Sequence, residues 1–150
     1  MPKFIIFLAL IAIALGAYYF KYGFPKLETE NSLAVRMLTI GGKTLEVEIA
    51  DTLVSRKQGL SGKESLGDNQ GMLFVYGEPG NYSFWMKDMK FAIDIIWIDE
   101  NKKIVDITYN SVPESYPQTF SPKLPAKYVL EISGLWVEEH GIGIGAVLDY

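Results

Sequence analysis

The sequence predicts a mainly β fold with a few short helices: a compact, barrel-like β domain behind an N-terminal hydrophobic helix. Three observations carry this. From Leu33 onward apolar residues recur with a period of two, not 3.6. Gly41-Gly42 sits between two alternating runs, a strong signal for a two-residue hairpin. Hydrophobic residues make up 49% of the chain and charged residues 21%, a balance that favours a packed core over disorder. The 150 residues suffice for one domain and are too few for two ordinary ones once a terminal segment is set aside. The division expected is 1–24 as a transmembrane anchor or signal segment, 25–32 as a linker, and 33–150 as the β domain.

In the N-terminal segment, Phe4 to Phe20 runs without a charge. As a helix rising ~1.5 Å per residue it spans roughly 26 Å, just under a hydrocarbon core of ~30 Å. Tyr18, Tyr19, Lys21 and Tyr22 then supply aromatic and cationic residues suited to a membrane interface. An uncleaved anchor is expected, holding the folded domain outside the cytoplasm. A cleaved signal is the alternative, since Ala12-Ile13-Ala14 has a small-x-small form. Cutting there leaves Leu15 to Phe20 as an apolar new terminus. The domain would then be secreted or periplasmic.

In the domain, "AVRMLTI" and "KTLEVEIA" form the two arms of the hairpin. Asp51 or Thr52 caps a short helix, "LVSRKQ", which Gly59 ends. Ser61 to Glu64 has the form of a capping box and predicts one more helical turn. "MLFVY" and "YSFWM" read as strands around the turn "GEPGN". A corner at Lys87-Asp88 leads into a strand from Phe91 to Asp99, and "KIVDITY" follows. The next stretch holds Pro113, Pro117, Pro122 and Pro125, so it cannot be a central strand and is expected to be a long ordered loop. "KYVLEI" returns as a strand, "GLWVEEH" gives a helical turn, and "IGIGAVLDY" completes the fold.

Composition excludes several chemistries. With no cysteine, disulfides, thiol nucleophiles and cysteine-zinc sites are ruled out. The single histidine, His140, rules out multi-histidine metal sites, and its place after a helical turn suits a helix-dipole role. Net charge is −4 with the signs interleaved, so no basic patch is available for nucleic acid. Met72, Met86 and Met89 are soft donors of a type that binds Cu(I), but methionine serves far more often as core filler. No metal and no cofactor is expected.

Several strings together resemble one family. They are Arg56 with Gly59-Leu60, Gly71-Met72-Leu73-Phe74, Phe84-Trp85-Met86-Lys87, Asp94 within "IDIIWID", and Tyr128-Val129-Leu130-Glu131. Over roughly residues 35–145 the chain is similar to the domain of unknown function family 192. The resemblance implies a compact, mainly β fold, often behind a signal or anchor segment. It brings no activity, substrate or cofactor. The chain departs from the family pattern at Ala92, at Ser133-Gly134-Leu135 and at Gly145-Ala146.

Asp94 shares a strand face with Ala92, Ile96 and Ile98, while Phe91, Ile93, Ile95 and Trp97 fill the other, so Asp94 is expected to be buried. A buried carboxylate left unpaired costs several kcal/mol and needs a cation or several donors. Arg56 and Lys87 are the cations expected to supply it, Arg56 by a bidentate pair that staples helix to sheet. A pocket near Arg56, Trp85, Lys87, Asp94 and Glu131 is expected, covered by the loop from Ser111 to Ala126. Phe84, Trp97, Tyr116, Phe120 and Trp136 add aromatic surface for a sugar- or peptide-binding groove. The function expected is a binding or accessory domain of the cell envelope, joined to the membrane by its N-terminal helix, with an envelope glycan or peptide as ligand. The alternative is a small glycan hydrolase using Asp94 and Glu131 as a carboxylate pair, with the two groups ~5 to 9.5 Å apart across an open cleft.

Overall fold

The computed structural model describes residues 3–22 and 33–150. Two compact units divide between Ser32 and Leu33. The first contains α1 (Lys3–Tyr22), whose described side chains are those of residues 11–21. Among the described residues no helix is long and apolar enough to cross a membrane. An anchor over 1–24 therefore has no support from the described part of α1. The side chains of the first ten residues, and the linker expected at 25–32, lie outside the described residues.

The second unit follows the two-residue alternation of its sequence. It runs through β1 (Val35–Ile40), β2 (Lys43–Ala50), α2 (Leu53–Gln58), β3 (Gln70–Gly80), β4 (Phe84–Trp85) and β5 (Ile93–Ile98). It continues with β6 (Ile104–Ser111), β7 (Thr119–Phe120), β8 (Ala126–Ser133), α3 (Trp136–Glu139) and β9 (Leu148–Asp149). Seven strands make one sheet in the order β6-β5-β8-β3-β2-β1-β9, while β4 and β7 pair separately. The sheet is antiparallel except for β2 against β3, where α2 lies in the crossover. The sheet curls until its ends meet. Lys103 bridges to Val147, and the N–H of Ile104 donates to the carbonyl of Ala146 at 2.9 Å. The result is the barrel-like, mainly β domain that the alternation predicts.

The hairpin forms at Gly41-Gly42 with φ of 55° and 79°, values that glycine reaches without steric cost. Thr52 caps α2 in a reciprocal box with Ser55. The helical turn expected after Ser61 does not form. The Ser61 hydroxyl donates to the carbonyl of Lys87 at 2.9 Å, and the N–H of Gly62 donates to that of Asp88, so both groups tie the segment to the corner instead of capping a helix. The strand expected over Phe91–Asp99 is trimmed to Ile93–Ile98, and "YSFWM" contributes only Phe84–Trp85.

Each face of the sheet buries its own apolar set. The concave face carries Leu45, Val47, Leu73, Ile96, Leu130 and Ile132, closed off by Trp136, Val137, Ile142 and Leu148. The outer face carries Ala50, Met72, Phe74, Ile95, Trp97 and Val129, covered by Leu60, Phe84 and Met86. Gly71 leaves no room for a side chain between β3 and β8: an added Cβ would lie 2.7 Å from the Glu131 carbonyl oxygen and 3.3 Å from Leu130 Cδ1. Gly71→Ala is therefore expected to lower stability by about 1–3 kcal/mol through overpacking against backbone. Denaturant unfolding checks this; an unchanged midpoint would mean the strands part at no cost.

Candidate functional site

Register decides which of the predicted site residues can meet. On β5 and β8, Asp94 lies opposite Ile132 and Ile95 lies opposite Glu131. Cross-strand partners share a face, so Asp94 points to the concave side and Glu131, one step away, to the outer side. The carboxylate pair needed for glycoside hydrolysis does not exist. Asp94 is also sealed, with 0% exposure.

Asp94 is indeed buried on a central strand, as its apolar neighbours predict, but neither Arg56 nor Lys87 partners it. Its partners are backbone amides. The N–H groups of Asn110 and Leu135 donate to Oδ1 at 2.8 and 3.2 Å, and that of Val137 donates to Oδ2 at 2.9 Å. Leu135 and Val137 begin α3, whose N-cap is Leu135 in the left-handed region with φ of 72°. Leucine has no acceptor to offer the open helix end, so Asp94 provides one from across the fold. The staple exists, but it joins β5 to α3 and β6 rather than to α2.

Arg56 has other work. Its guanidinium donates to the carbonyls of Asp51 at 2.6 Å and Val75 at 2.9 Å, and lies over the Tyr76 ring at 5.1 Å from its centroid. Lys87 is exposed at the corner, where Asp88 has φ of 57°.

A cavity of about 210 Å³ does open on the outer face. α2 and the turn after it contribute Arg56, Lys57, Gln58 and Leu60; β3 contributes Phe74 and Tyr76. Phe84, Trp85 and Met89 form a further wall, and Glu131 of β8 lies among the lining residues. Thus three of the predicted pocket residues converge, Arg56, Trp85 and Glu131, while Lys87 and Asp94 do not. Trp85 is 55% exposed at the rim. Phe84 packs edge-on against both Phe74 and Trp97, fixing the wall behind it. Tyr76 stacks on Tyr82 at 3.5 Å, nearly parallel.

Glu131 is the unusual member. It is only 5% exposed, flanked by Met72 on β3 and Ile95 on β5, and its carboxyl makes no hydrogen bond to any described residue. Burial pushes its pKa from the ordinary 4.5 to about 8, so it is largely the neutral acid at pH 7. Burial also pushes Tyr76 up to about 12, opposed by Arg56 and reinforced by Tyr82 and Glu131.

The proline-rich loop does not cover the cavity. No residue of 111–126 lines it among the described residues. Instead β7 pairs with β4, setting Phe120 opposite Phe84 and Thr119 opposite Trp85, and the hydroxyls of Ser83 and Ser121 lie 2.8 Å apart. The loop braces the rim from behind. Asp106 holds it there, accepting from the N–H of Lys123 at 2.9 Å. The aromatic groove predicted under the loop is likewise divided. Trp97 is core, Tyr116 is exposed on the loop, and Trp136 belongs to the concave face, where His140 stacks on it. Met72 and Met86 are core residues at 1% exposure, and only Met89 reaches the cavity.

Tyr76 and Tyr82 were not expected at the site. Their signal in the sequence is positional: they flank the turn "GEPGN", and a tight turn can set the residues on its two sides against each other.

A model of the family DUF192, described as Uncharacterized ACR, matches residues 36–150. No curated protein sequence matches. Among solved structures, one from Sinorhizobium meliloti 1021, provisionally named a transcription regulator, superposes with a TM-score of 0.75 at 31% identity. That match covers 80% of this chain and 96% of the other. A protein of unknown function from Novosphingobium aromaticivorans superposes with a TM-score of 0.76 at 27% identity, covering 85% of this chain and 93% of the other.

Proposed function

From the premise that the chain belongs to the DUF192 family, a family without an established function, we propose that its β domain is a binding module whose site is the outer-face cavity bounded by Arg56, Trp85 and Glu131. One observation carries the reading: Glu131, a residue only 5% exposed whose carboxyl has no hydrogen-bond partner among the described residues, lines an open cavity. An apolar residue there would cost the fold less, so the acid earns its place by what enters the cavity. The cavity is smaller than the ~300–1,000 Å³ of sites that enclose drug-sized ligands. It suits a group the size of one side chain or one sugar substituent, presented by an envelope peptide or glycan. The reading places the domain outside the cytoplasm, and its support there is the uncharged apolar run from Phe4 to Phe20. A role as an accessory domain, presenting such a group to other envelope proteins, fits a cavity in which Glu131 has no second carboxylate beside it among the described residues.

Thermal shift of the full chain against a panel of short envelope peptides and glycan fragments tests this. A ligand at a hundred times its Kd adds about 2.7 kcal/mol, which raises Tm by about 5–10 °C in a protein of this size. The rise is expected in the wild type and lost in Trp85→Ala, whose exposed side chain the core does not need. No rise with any member of the panel rejects the binding reading.

A further inference from the structure

The cavity's chemistry says what kind of group should enter it. Its floor and walls differ sharply. Phe74, Phe84 and the Met89 side chain give apolar surface, and Trp85 offers an exposed ring at the mouth. Among the described residues Glu131 is the one acidic residue lining the cavity. An ionised carboxylate only accepts hydrogen bonds, so a partner must bring donors, and in a desolvated place it must also bring positive charge. Aromatic faces welcome the same charge. An ammonium group has three donors and one positive charge, which matches both demands.

We propose that the cavity is a receptor site for an alkylammonium group, a primary amine on a short apolar stem, with Glu131 as its carboxylate counter-ion and the aromatic walls around its stem. This rests on the binding reading above and names the ligand chemistry of that site. At about 210 Å³ the cavity holds the space of about seven waters, enough for a butyl-sized chain. A lysine side chain and a free alkylamine share this chemistry.

The other charged and titratable groups facing the site are Arg56 and Lys57 from α2 and Tyr76 from β3, with Tyr82 stacked behind Tyr76. From β5 the neighbour of Glu131 is Ile95, which carries no charge. Arg56 is turned to the Asp51 and Val75 carbonyls and lies over Tyr76. It favours a ligand with a single positive charge over a dication.

Ammonium binding requires Glu131 to ionise, so below pH 8 it must expel a proton. Affinity should then rise about tenfold per pH unit from pH 6 to 7.5 and level off above pH 8. The test is calorimetric titration of the full chain with n-butylamine, n-butanol and butyrate, each in two buffers of different ionisation enthalpy. Acetyl-lysine methylamide serves as the side-chain arm. Expected are butylamine binding at least tenfold tighter than butanol, release of close to one proton at pH 7, and no binding of butyrate. Glu131→Gln should abolish the proton release and cost at least tenfold in affinity. Tighter binding of acetyl-lysine methylamide than of butylamine assigns the site to peptides, and the reverse assigns it to free amines; either supports the ammonium site. The proposal is overturned if butanol or butyrate equals butylamine, if the amine binds without proton release, or if no amine binds. In the last case, a Tm rise with another member of the peptide and glycan panel leaves the binding reading standing while the ammonium chemistry fails.

Discussion

Glu131→Gln is expected to make the protein more stable at pH 8 and to leave it nearly unchanged at pH 4.5. The folded state raises the Glu131 pKa from 4.5 to about 8. Below pH 4.5 the group is protonated in both folded and unfolded chains, and the fold bears no penalty. Between 4.5 and 8 the unfolded chain loses this proton while the folded one keeps it. The native state then binds more protons, so stability falls as pH rises, by about 1.4 kcal/mol per unit at most. Above 8 both states are ionised and the loss is complete. Glutamine removes the titration while nearly preserving shape. The difference between variant and wild type should therefore be close to zero at pH 4.5 and about 3 kcal/mol at pH 7, in favour of the variant. Urea unfolding at a series of pH values checks it. A difference that does not change with pH would show that Glu131 ionises freely in the folded protein.

Asp94→Ala should act in the opposite direction and more severely. Three backbone amides donate to this carboxylate, that of Val137 buried and those of Asn110 and Leu135 partly so, and alanine leaves all three without an acceptor. An orphaned buried donor costs ~1–3 kcal/mol and a partly buried one less, so a loss of about 3 kcal/mol or more is expected, a large share of the stability of an ordinary domain. Asp94→Asn keeps an acceptor at one oxygen and should cost less, about 2 kcal/mol. Arg56→Met tests the rival account in which an ion pair holds Asp94. Because Arg56 bonds the Asp51 and Val75 carbonyls and not Asp94, its loss should cost about 1 kcal/mol and leave the α3 amides protected. Amide exchange at Leu135 and Val137 distinguishes the two: it should accelerate in Asp94→Asn and stay slow in Arg56→Met. Equal acceleration in both would restore the ion-pair account.

Alternation in "IDIIWI" made the central strand and the burial of Asp94 legible, because apolar residues on both faces admit no other placement. The hairpin was legible for a similar reason: two adjacent glycines tolerate a backbone that other residues resist. What alternation cannot show is which strands become neighbours. The face of Glu131 relative to Asp94 depends on the register of β8 against β5, and that register is fixed by residues distant in sequence. The partners of Asp94 were hidden for a deeper reason. They are peptide groups of Asn110, Leu135 and Val137, which every residue carries and no side chain announces. Among side chains, the cation that suits a buried carboxylate is Arg56, and it bonds elsewhere. The burial of Glu131 was not legible because "KYVLEI" places it one residue from the strand's end, whereas β8 extends to Ser133 between two neighbours.

Glu131 and Asp94 stand one register step apart on paired strands, yet they face opposite sides of the sheet. The sheet thus works as a partition between two tasks. Substitutions around the outer cavity can sample new ligand preferences while the amides that secure α3 on the concave side keep their acceptor. A lineage carrying this fold can therefore diversify in what it recognises without first solving the folding problem again, a separation that makes the domain a tolerant starting point for evolution and for laboratory selection alike.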